Sequence, residues 1–450
     1  MGPSQAQLAY DQLAEVYKTS NPRSETIYNA ATEVLPGGNT RSVLFYHPYP
    51  LSMKSAEGSR LKDVDGHDYV DFLGEYTAGL YGHSEQIIIN AITEAAKKGL
   101  SFGSQHEGES VLAALVGNRF PSIDLLRFTN SGTEATLMAI SAAKAYTGKK
   151  KVLVFDGAYH GGAFTFKGGK SSPVNAPHEY LIAKFNDLDS VKALMQANGN
   201  AGHVACILVE PMIGSGGAIP GERAFLEGLR KAATASDAVL IFDEVMTSRM
   251  HQGGGIQSQL PSDLRPDITT LGKYIGGGMS FGAFGGKRAI MELFDPRRPN
   301  ALSHAGTFNN NVLTMSAGRA GLEEVFTPRR AARLHDRGEA LRRTLQRLSH
   351  GTLMKVTGYG SIMCFHFTQT ALEKIRSPGD LSEDDKVLSG VFHLFMLANG
   401  YYVARRGFVA LSLALQEDEL EAFTRTVQDF LQSHSQLLSL NQLEKDRARL

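Results

Sequence analysis

A lysine and an acid in the second half of this sequence follow apolar runs in a way that suits catalysis. Asp243 follows the run AVLIF, which brings its carboxylate to the end of a buried strand. Thirty residues later, Lys273 follows a second apolar stretch and precedes Gly276, Gly277 and Gly278. If the two runs are strands of one parallel sheet, amine and carboxylate reach the same crevice at its edge. Taken alone, Asp243 has the alternative of a structural acid and Lys273 that of a solvated lysine.

The segment RFTNSGTEATLMAISAAKAYTGKK predicts a strand followed by a helix whose first turn could hold an anion. Ser131 has the position of the N-cap, Glu134 that of its capping-box partner, and Gly148 closes the helix. The start of a helix has free N–H groups and a partial positive charge, and Gly132 has no side chain to keep a phosphate from the backbone. The alternative is a well-capped helix that binds nothing.

Other phosphate and metal motifs are incomplete. Phe164 stands where a Walker motif ending in Gly169-Lys170-Ser171 needs its first glycine, and no GxGxxG follows a strand. His106-Glu107 lacks the second histidine of a zincin, so we expect no metal. Pyridoxal phosphate needs a lysine for the Schiff base, an acid beside the pyridine nitrogen and a phosphate anchor. The lysine, the acid and the phosphate cup together therefore predict this cofactor.

The order of elements predicts an α/β fold. Between about residues 125 and 270, the runs LLRF, KVLVF, HVACILVE and AVLIFDEV alternate with helical segments, one of them near 223–235, which is typical of a mainly parallel sheet. After about residue 326 the pattern changes to helix, two strands, helix, strand and helix. We predict an N-terminal segment over 1–90 of a helix and small strands that packs with the C-terminal domain, a large cofactor-binding domain over 91–325, and a small α+β domain over 326–450.

Composition and charge favour an ordinary soluble globular protein. The 46 basic and 46 acidic residues cancel and hydrophobic residues make up 42%, which argues against a disordered chain and against nucleic-acid binding. No apolar run approaches the ~18 residues that span a bilayer. Cys206 and Cys364 have no CxxC spacing, so a reducing compartment and a cytoplasmic location are expected. Ala448-Arg449-Leu450 resembles the peroxisomal Ser-Lys-Leu signal and leaves that location as the alternative.

Six strings in order, FTNSGTEA, YHG, VEPM, FDEVMTSR, LGKYIGGGMSFGAFGG and HAGTFNNN, resemble the class III aminotransferases, which have fold type I, that of aspartate aminotransferase. The resemblance covers roughly residues 30–430. FDEVMT, GKxIGGG and GAFGG are most similar to the branch that contains glutamate-1-semialdehyde aminomutase, whereas PGGNTRSVLFY and RGFVALSL are more similar to β-amino-acid aminotransferases of the bacterial β-phenylalanine type. Thr40-Arg41-Ser42 departs from the aminomutase, which has a PVR element there, and Ile213 departs from a glutamine that many class III members have.

The resemblance implies two catalytic residues. Lys273 holds the cofactor as an internal aldimine and, once displaced by substrate, moves the proton between the substrate carbon and the cofactor's C4′. Asp243 keeps the ring nitrogen protonated, so that the ring can delocalise the carbanion. Tyr159 stacks on one face of the ring and Val245 supports the other.

The resemblance also assigns the remaining cofactor contacts. The phosphate is bound by Ser131, Gly132 and Thr133. Thr307, in the GTF motif, reaches the phosphate held by the neighbouring subunit, which implies a homodimer with shared active sites. His160 and Glu210 are placed near the ring, with buried hydrogen-bonding residues as the alternative reading.

Two arginines are the candidates for binding carboxylate substrates, because PGGNTRSVLFY and RRGFVALSL each resemble the β-amino-acid aminotransferases around an arginine; the alternative is that both are solvated. A guanidinium binds a carboxylate through two parallel hydrogen bonds and keeps its charge when desolvated. We assign Arg41 to the carboxylate of a β-amino acid and Arg406 to the α-carboxyl end of an acceptor such as 2-oxoglutarate. Glu75 and Tyr76 complete the predicted substrate site.

The predicted function is transamination of a β-amino acid, with an aromatic one such as β-phenylalanine favoured and with 2-oxoglutarate or pyruvate as acceptor, in a ping-pong cycle. The alternatives are an aminomutase of the glutamate-1-semialdehyde type and a transaminase of amines or ω-amino acids. Decarboxylation of a dialkyl amino acid is a weaker option. A cofactor-binding scaffold without catalysis is disfavoured by the intact Lys273, Asp243 and phosphate cup.

Overall fold

The computed structural model describes residues 4–381 and 384–440. Ala448-Arg449-Leu450, on which the peroxisomal alternative rests, lies outside the described residues. Within those two ranges, no helix is both long enough and apolar enough to span a bilayer. The same ranges contain no group of three histidine, cysteine or acidic side chains arranged to hold a metal ion.

Two helices and three strands form the first part of the chain. They are α1 (Gln5–Ser20), α2 (Pro22–Thr32), β1 (Met53–Glu57), β2 (Arg60–Asp63) and β3 (Asp68–Asp71). The Oγ of Ser4 accepts a hydrogen bond from the Gln7 N–H at 3.1 Å and so caps α1. The three strands pair antiparallel in the order of the chain.

The central sheet has seven strands in the order β4-β14-β13-β12-β9-β5-β8, and two small hairpins, β6-β7 and β10-β11, lie outside it. The strands are β4 (Leu125–Thr129), β5 (Lys151–Phe155), β6 (Phe166–Lys167), β7 (Lys170–Ser171), β8 (Glu179–Ala183), β9 (Val204–Val209), β10 (Met212–Ile213), β11 (Ile219–Pro220), β12 (Val239–Asp243), β13 (Ile268–Gly272) and β14 (Gly282–Gly286). Strand β14 runs antiparallel to both of its neighbours, whereas the other strands of this sheet pair parallel. All six residues of β9 are buried, as expected for a parallel strand covered on both faces.

Seven helices accompany this sheet in the described part of the chain. They are α3 (Gln86–Lys98), α4 (Glu107–Arg119), α5 (Gly132–Thr147), α6 (Leu188–Gln196), α7 (Arg223–Ala235), α8 (Arg288–Met291) and α9 (Val312–Ala320). Helix α5 packs closely against the centre of the sheet, since its inward positions are small residues such as Ala135, Ala139 and Ala142, all fully buried. The predicted helix near 223–235 is confirmed as α7.

The last part of the described chain is an α+β arrangement, as the sequence predicts. Its elements are α10 (Pro328–Leu348), β15 (Met354–Tyr359), β16 (Ile362–Phe367), α11 (Lys386–Ala398), β17 (Tyr401–Tyr402), β18 (Phe408–Ala410) and α12 (Glu417–Ser433). Strands β15, β16 and β18 form an antiparallel sheet. Strand β17 instead pairs parallel with β3, so it joins the first and last parts of the chain.

The fold brings the chemistry-bearing segments to one edge of the central sheet. Strands β12 and β13 are neighbours, and their register pairs Asp243 with Thr270. Lys273 therefore comes three residues beyond the pairing partner of Asp243. Helix α5 begins directly after β4, and Glu210 comes directly after β9. This is the edge at which parallel α/β sheets bind ligands.

Candidate active site

Asp243 is buried at the end of β12, and both of its carboxylate oxygens are fixed. Oδ1 accepts a hydrogen bond from the Val245 N–H at 3.0 Å, and Oδ2 lies 2.8 Å from Nδ1 of His160. The other ring nitrogen of His160, Nε2, is buried and has no hydrogen-bond partner among the described residues. His160 thus orients Asp243 while keeping one polar atom free.

Lys273 is the first residue after β13 and has a left-handed backbone, with φ of 59°. Burial lowers the pKa of its amine, the negative charges of Glu75 and Asp243 oppose that shift, and the positive charges of Arg41 and Arg406 add to it. A lowered pKa favours the unprotonated amine, which is the form that attacks an aldehyde. Four charged side chains predicted to bind substrate or cofactor therefore act electrostatically on one amine.

Helix α5 begins at Gly132, and its first turn is formed as predicted, with one correction. The Oγ of Ser131 accepts from the Glu134 N–H at 3.2 Å, which confirms the N-cap. The carboxylate of Glu134, however, accepts from the N–H of Asn130 at 2.9 Å, one residue before the N-cap predicted as its partner. Gly148 closes the helix with φ of 69°.

Gly132 packs tightly against Val245, and the approach of a phosphate to its backbone stays a prediction. A Cβ there would lie 2.9 Å from Cγ2 of Val245, and a Cβ on Gly272 would lie 3.3 Å from Cγ1 of the same valine. Val245 therefore contacts both the start of α5 and the end of β13. The free N–H groups of that helix start remain open to an anion.

Thr133 and the Tyr159-His160-Gly161 turn are in contact. The Oγ1 of Thr133 accepts from the Gly162 N–H at 3.3 Å, and a Cβ on Gly161 would lie only 2.2 Å from that oxygen. Gly161 also has φ of 109°, so glycine is required here for both space and backbone conformation. The ring of Tyr159 is 45% exposed, so its face is free to stack on a ligand.

Glu210 is a buried carboxyl close to this turn. Its Oε1 accepts from the Tyr159 N–H and its Oε2 from the Gly214 N–H, each at 3.0 Å. Burial raises the pKa of Glu210 to about 7, with His160 opposing the shift and Asp243 adding to it. Ile213, at the position of the family's glutamine, is fully buried in β10.

The predicted substrate residues form two contacts. Nη1 of Arg41 donates to Oε1 of Glu75 at 2.7 Å. The guanidinium of Arg406 lies over the ring of Tyr76, 5.1 Å from its centre, and its Nη1 donates to Oγ of Ser215 at 2.8 Å. We did not predict Ser215 from the sequence, although the glycine-rich string GSGG after VEPM indicates a loop at this edge of the sheet.

Thr307 lies apart from these residues. It is exposed in the loop before α9, next to Phe308, which is 60% exposed. No hydrogen bond in the described part of the chain joins Thr307 to the other predicted site residues. Its predicted role in a neighbouring subunit stays a prediction.

Comparison with known proteins defines the class. The family model for class III aminotransferases matches residues 45–378, so the chain belongs to this family and is a pyridoxal-phosphate-dependent aminotransferase. The matched range contains every residue predicted to bind the cofactor. Arg41 and Arg406 lie outside it.

Individual relatives extend the comparison beyond that range. The chain is 47% identical to β-phenylalanine transaminase of Variovorax paradoxus over 96% of this chain and 98% of that protein. The solved β-phenylalanine aminotransferase of V. paradoxus superposes with a TM-score of 0.93, at 45% identity over 96% of this chain and 99% of that one. An ω-transaminase of Sphaerobacter thermophilus superposes with a TM-score of 0.82, at 34% sequence identity over 91% of this chain and 97% of that one. A glutamate-1-semialdehyde aminomutase of Pseudomonas aeruginosa superposes with a TM-score of 0.83, at 26% sequence identity over 95% of this chain and 98% of that one.

The residues of this site fit pyridoxal phosphate. A partly buried lysine and a buried carboxylate lie at the ends of neighbouring strands, and a glycine-containing helix start lies beside them. The partly exposed ring of Tyr159 and the free Nε2 of His160 supply a stacking face and an unused polar atom. When bound, the cofactor provides an electron sink for the carbanion formed at the substrate.

Proposed function

We propose that this aminotransferase acts on β-amino acids, with 3-amino-3-phenylpropanoate (β-phenylalanine) as the favoured donor and 2-oxoglutarate or pyruvate as the acceptor. The observation that carries the proposal is the presence of two arginines, Arg41 and Arg406, which contact the neighbouring residues Glu75 and Tyr76. A β-amino acid has one more carbon between amine and carboxylate than an α-amino acid. Two separate carboxylate sites therefore let one pocket accept both partners of a ping-pong cycle. The 47% identity to a β-phenylalanine transaminase supports this substrate class.

In this proposal, each residue has a defined role. The Nζ of Lys273 takes the proton from the substrate carbon and returns it on the cofactor side. Asp243, oriented by His160, holds a proton on the ring nitrogen through a charge-assisted hydrogen bond. The N–H groups at Gly132 and Thr133, together with the hydroxyl of Ser131, hold the phosphate.

The surroundings of Tyr76 and Arg406 suit an aromatic donor. A cavity of about 260 Å³ borders both residues. Aromatic rings form much of its wall, namely those of Phe45, Tyr46 and Tyr402. The same cavity is also lined by Lys386, Arg405 and Arg406, so it suits a donor that has a phenyl group and a carboxylate better than one with a cationic side chain.

Replacing Arg41 with alanine tests the substrate class. Loss of a charge-assisted bidentate contact costs about 2–3 kcal/mol, so kcat/KM for β-phenylalanine should fall ~30- to 150-fold while cofactor binding is retained. Arg319 is the matched control, because it is also half exposed and paired with a glutamate, Glu323, but outside the site. Equal single-turnover rates for wild type and Arg41→Ala would refute the assignment of Arg41. Failure of the wild type to react with any β-amino acid would refute the substrate class.

A donor screen separates the remaining candidates. The structural similarity to an ω-transaminase makes plain amines and ω-amino acids the second class to test. An aminomutase forms product without an added keto acid, whereas a transaminase needs 2-oxoglutarate or pyruvate. Carbon dioxide release would indicate decarboxylation instead.

We also propose a homodimer with shared active sites and a cytoplasmic location. The exposure of Thr307 and Phe308 in the loop before α9 supports an interface there. For location, a fluorescent fusion should be diffuse in the cytoplasm. A punctate pattern that disappears on deletion of Ala448-Arg449-Leu450 would show the peroxisomal alternative to be right.

A further inference from the structure

The turn after β3 is a strained segment that touches both candidate carboxylate-binding arginines. Four consecutive residues, Gly74 to Thr77, have positive φ angles of 55°, 46°, 50° and 83°. The last three are not glycine, and a left-handed conformation costs ~1–2 kcal/mol for each such residue. A conformation of this kind persists only when the surrounding structure imposes it, and it is a reason to look for function.

Contacts with neighbouring residues hold the turn from Gly74 to Thr77 in its left-handed conformation. Oδ1 of Asp71 accepts hydrogen bonds from the N–H groups of Leu73 at 2.8 Å and Gly74 at 3.0 Å. Gly74 packs against the backbone of β18, where a Cβ would lie 2.6 Å from the carbonyl oxygen of Ala410. The ring of Tyr76 packs on that of Phe408, with 5.7 Å between ring centres.

As a result, two neighbouring side chains of one turn contact the two arginines. Glu75 pairs with Arg41, and Tyr76 lies under the guanidinium of Arg406. Among the charged side chains acting on the Lys273 amine, Glu75 has the largest effect. Glu75 therefore both pairs with Arg41 and acts electrostatically on the reacting amine.

The Arg41–Glu75 ion pair is weak enough for a substrate carboxylate to separate it. It is a single contact, from Nη1 to Oε1, and both side chains are about half exposed, at 47% and 48%. Exposed pairs of this kind are worth ~0.2–1 kcal/mol. A substrate carboxylate that offers two oxygens to the guanidinium can displace one that offers a single oxygen.

We propose that Glu75 is a specificity-determining residue, which acts as an internal counter-ion for Arg41 and competes with the donor's carboxylate. The inference rests on the proposed function, because it requires that Arg41 binds that carboxylate. With a β-amino acid, the substrate carboxylate takes over Arg41 and Glu75 is released. With a donor that lacks a carboxylate, Glu75 stays on Arg41 and neutralises a charge that would repel the incoming ammonium.

The test uses 3-phenylpropanoate, which keeps the carboxylate of β-phenylalanine and lacks its amine, as a competitive inhibitor of the holoenzyme. In Glu75→Gln its inhibition constant should fall by up to about fivefold, the upper end of the range expected for loss of an exposed competing pair. The ratio of kcat/KM for β-phenylalanine to that for 1-phenylethylamine should rise in the same variant. Glu323→Gln is the matched control, since the Arg319–Glu323 pair has a similar distance, 2.9 Å, and similar exposure.

Two further variants make the outcome decisive. Glu75→Asn also removes the charge, and asparagine tolerates a left-handed backbone well, so it should reproduce the effect if the turn is intact. In an Arg41→Ala background, Glu75→Gln should leave inhibition by 3-phenylpropanoate unchanged. Unchanged or weaker inhibition in both single Glu75 variants would overturn the inference while leaving the proposed function standing. If Arg41→Ala does not weaken inhibition, the assignment of Arg41 itself fails.

Discussion

At the level of single residues, Lys273 has a backbone conformation that glycine adopts more easily, and its proposed catalytic role explains why a lysine occupies this position. A lysine with φ of 59° is less favourable by ~1–2 kcal/mol than in a right-handed conformation, and the glycine that would relieve this has no amine. The position was predictable because it directly follows an apolar run in a glycine-rich motif. Its left-handed backbone was not, since nothing local to the sequence requires it.

Lys273→Ala should abolish turnover and the visible absorbance of lysine-linked cofactor. A positioned proton-transfer group contributes about 10²–10⁴-fold, so a loss of at least about a hundredfold is expected. Lys287→Ala is a suitable control, because this lysine is 60% exposed and pairs with Asp267 outside the site. Reducible linkage of the cofactor to another lysine in Lys273→Ala would show the assignment to be wrong.

Glu210 should make the stability of the apoprotein depend on pH. Its pKa is about 7 in the folded protein and near 4.5 when unfolded, so below pH 4.5 it is protonated in both states and has no effect. As pH rises from 4.5 to 7, the unfolded chain loses this proton first, and the folded state becomes less stable. Between pH 5 and pH 8 the free energy of unfolding should fall by about 2–3 kcal/mol relative to Glu210→Gln.

Urea unfolding of the apoproteins at both pH values measures this difference. The amide introduced by Glu210→Gln has a single oxygen and can accept only one of the two hydrogen bonds, from Tyr159 or Gly214, but that loss is the same at every pH. Glu57→Gln, an exposed change on β1, serves as the control. A constant difference between wild type and Glu210→Gln across the range would contradict the prediction.

At the level of elements, local rules predicted those parts of the site that local sequence specifies. The N-cap at Ser131, the helix end at Gly148 and the strand that ends in Asp243 each follow from neighbouring residues. The turn from Gly74 to Thr77 does not, because its conformation is imposed by Asp71 and by the distant strand β18. The same holds for Ser215, whose contact with Arg406 joins positions 191 residues apart.

Gly132→Ala should weaken cofactor binding and also destabilise the fold. The new Cβ would lie 2.9 Å from Cγ2 of Val245, and overpacking of this kind costs ~1–3 kcal/mol of folding free energy. Because the added methyl group and the shift it forces lie at the helix start assigned to the phosphate, the Kd for pyridoxal phosphate should rise about tenfold or more. Absorbance titration of the apoprotein measures it. Gly117→Ala is the control, because that helical glycine has only an ordinary contact, at 3.7 Å. Partial rescue by Gly132→Ala/Val245→Ala is expected, and an unchanged Kd in Gly132→Ala would contradict the prediction.

At the level of the whole molecule, the α/β class, the mainly parallel sheet and the small α+β region were predicted from hydrophobic periodicity. The antiparallel strand β14 and the pairing of β17 with β3 were not predicted. Both depend on contacts between distant segments, and β17 has only two residues. Hydrophobic periodicity indicates which face of a helix or strand is buried, but it contains little information about which elements pack beside it.

If Thr307 acts across a dimer interface, two inactive variants should complement each other. In a mixed dimer of Lys273→Ala and Thr307→Ala, one of the two sites then has both residues intact. A refolded 1:1 mixture should recover about a quarter of wild-type activity, because half of the dimers are mixed and each has one working site. Homodimers of each variant are the controls. No gain over the two controls would show that Thr307 acts within its own chain or not at all.

The cofactor residues and the substrate residues come from different stretches of the chain. Every predicted cofactor contact lies between residues 131 and 307, whereas the side chains assigned to the substrate lie before residue 77 or at residue 406. Natural variation and laboratory evolution can therefore alter the choice of donor without touching the catalytic strands. For enzyme engineering, libraries confined to residues 39–46, 73–77 and 403–408 should change selectivity and preserve the reaction itself.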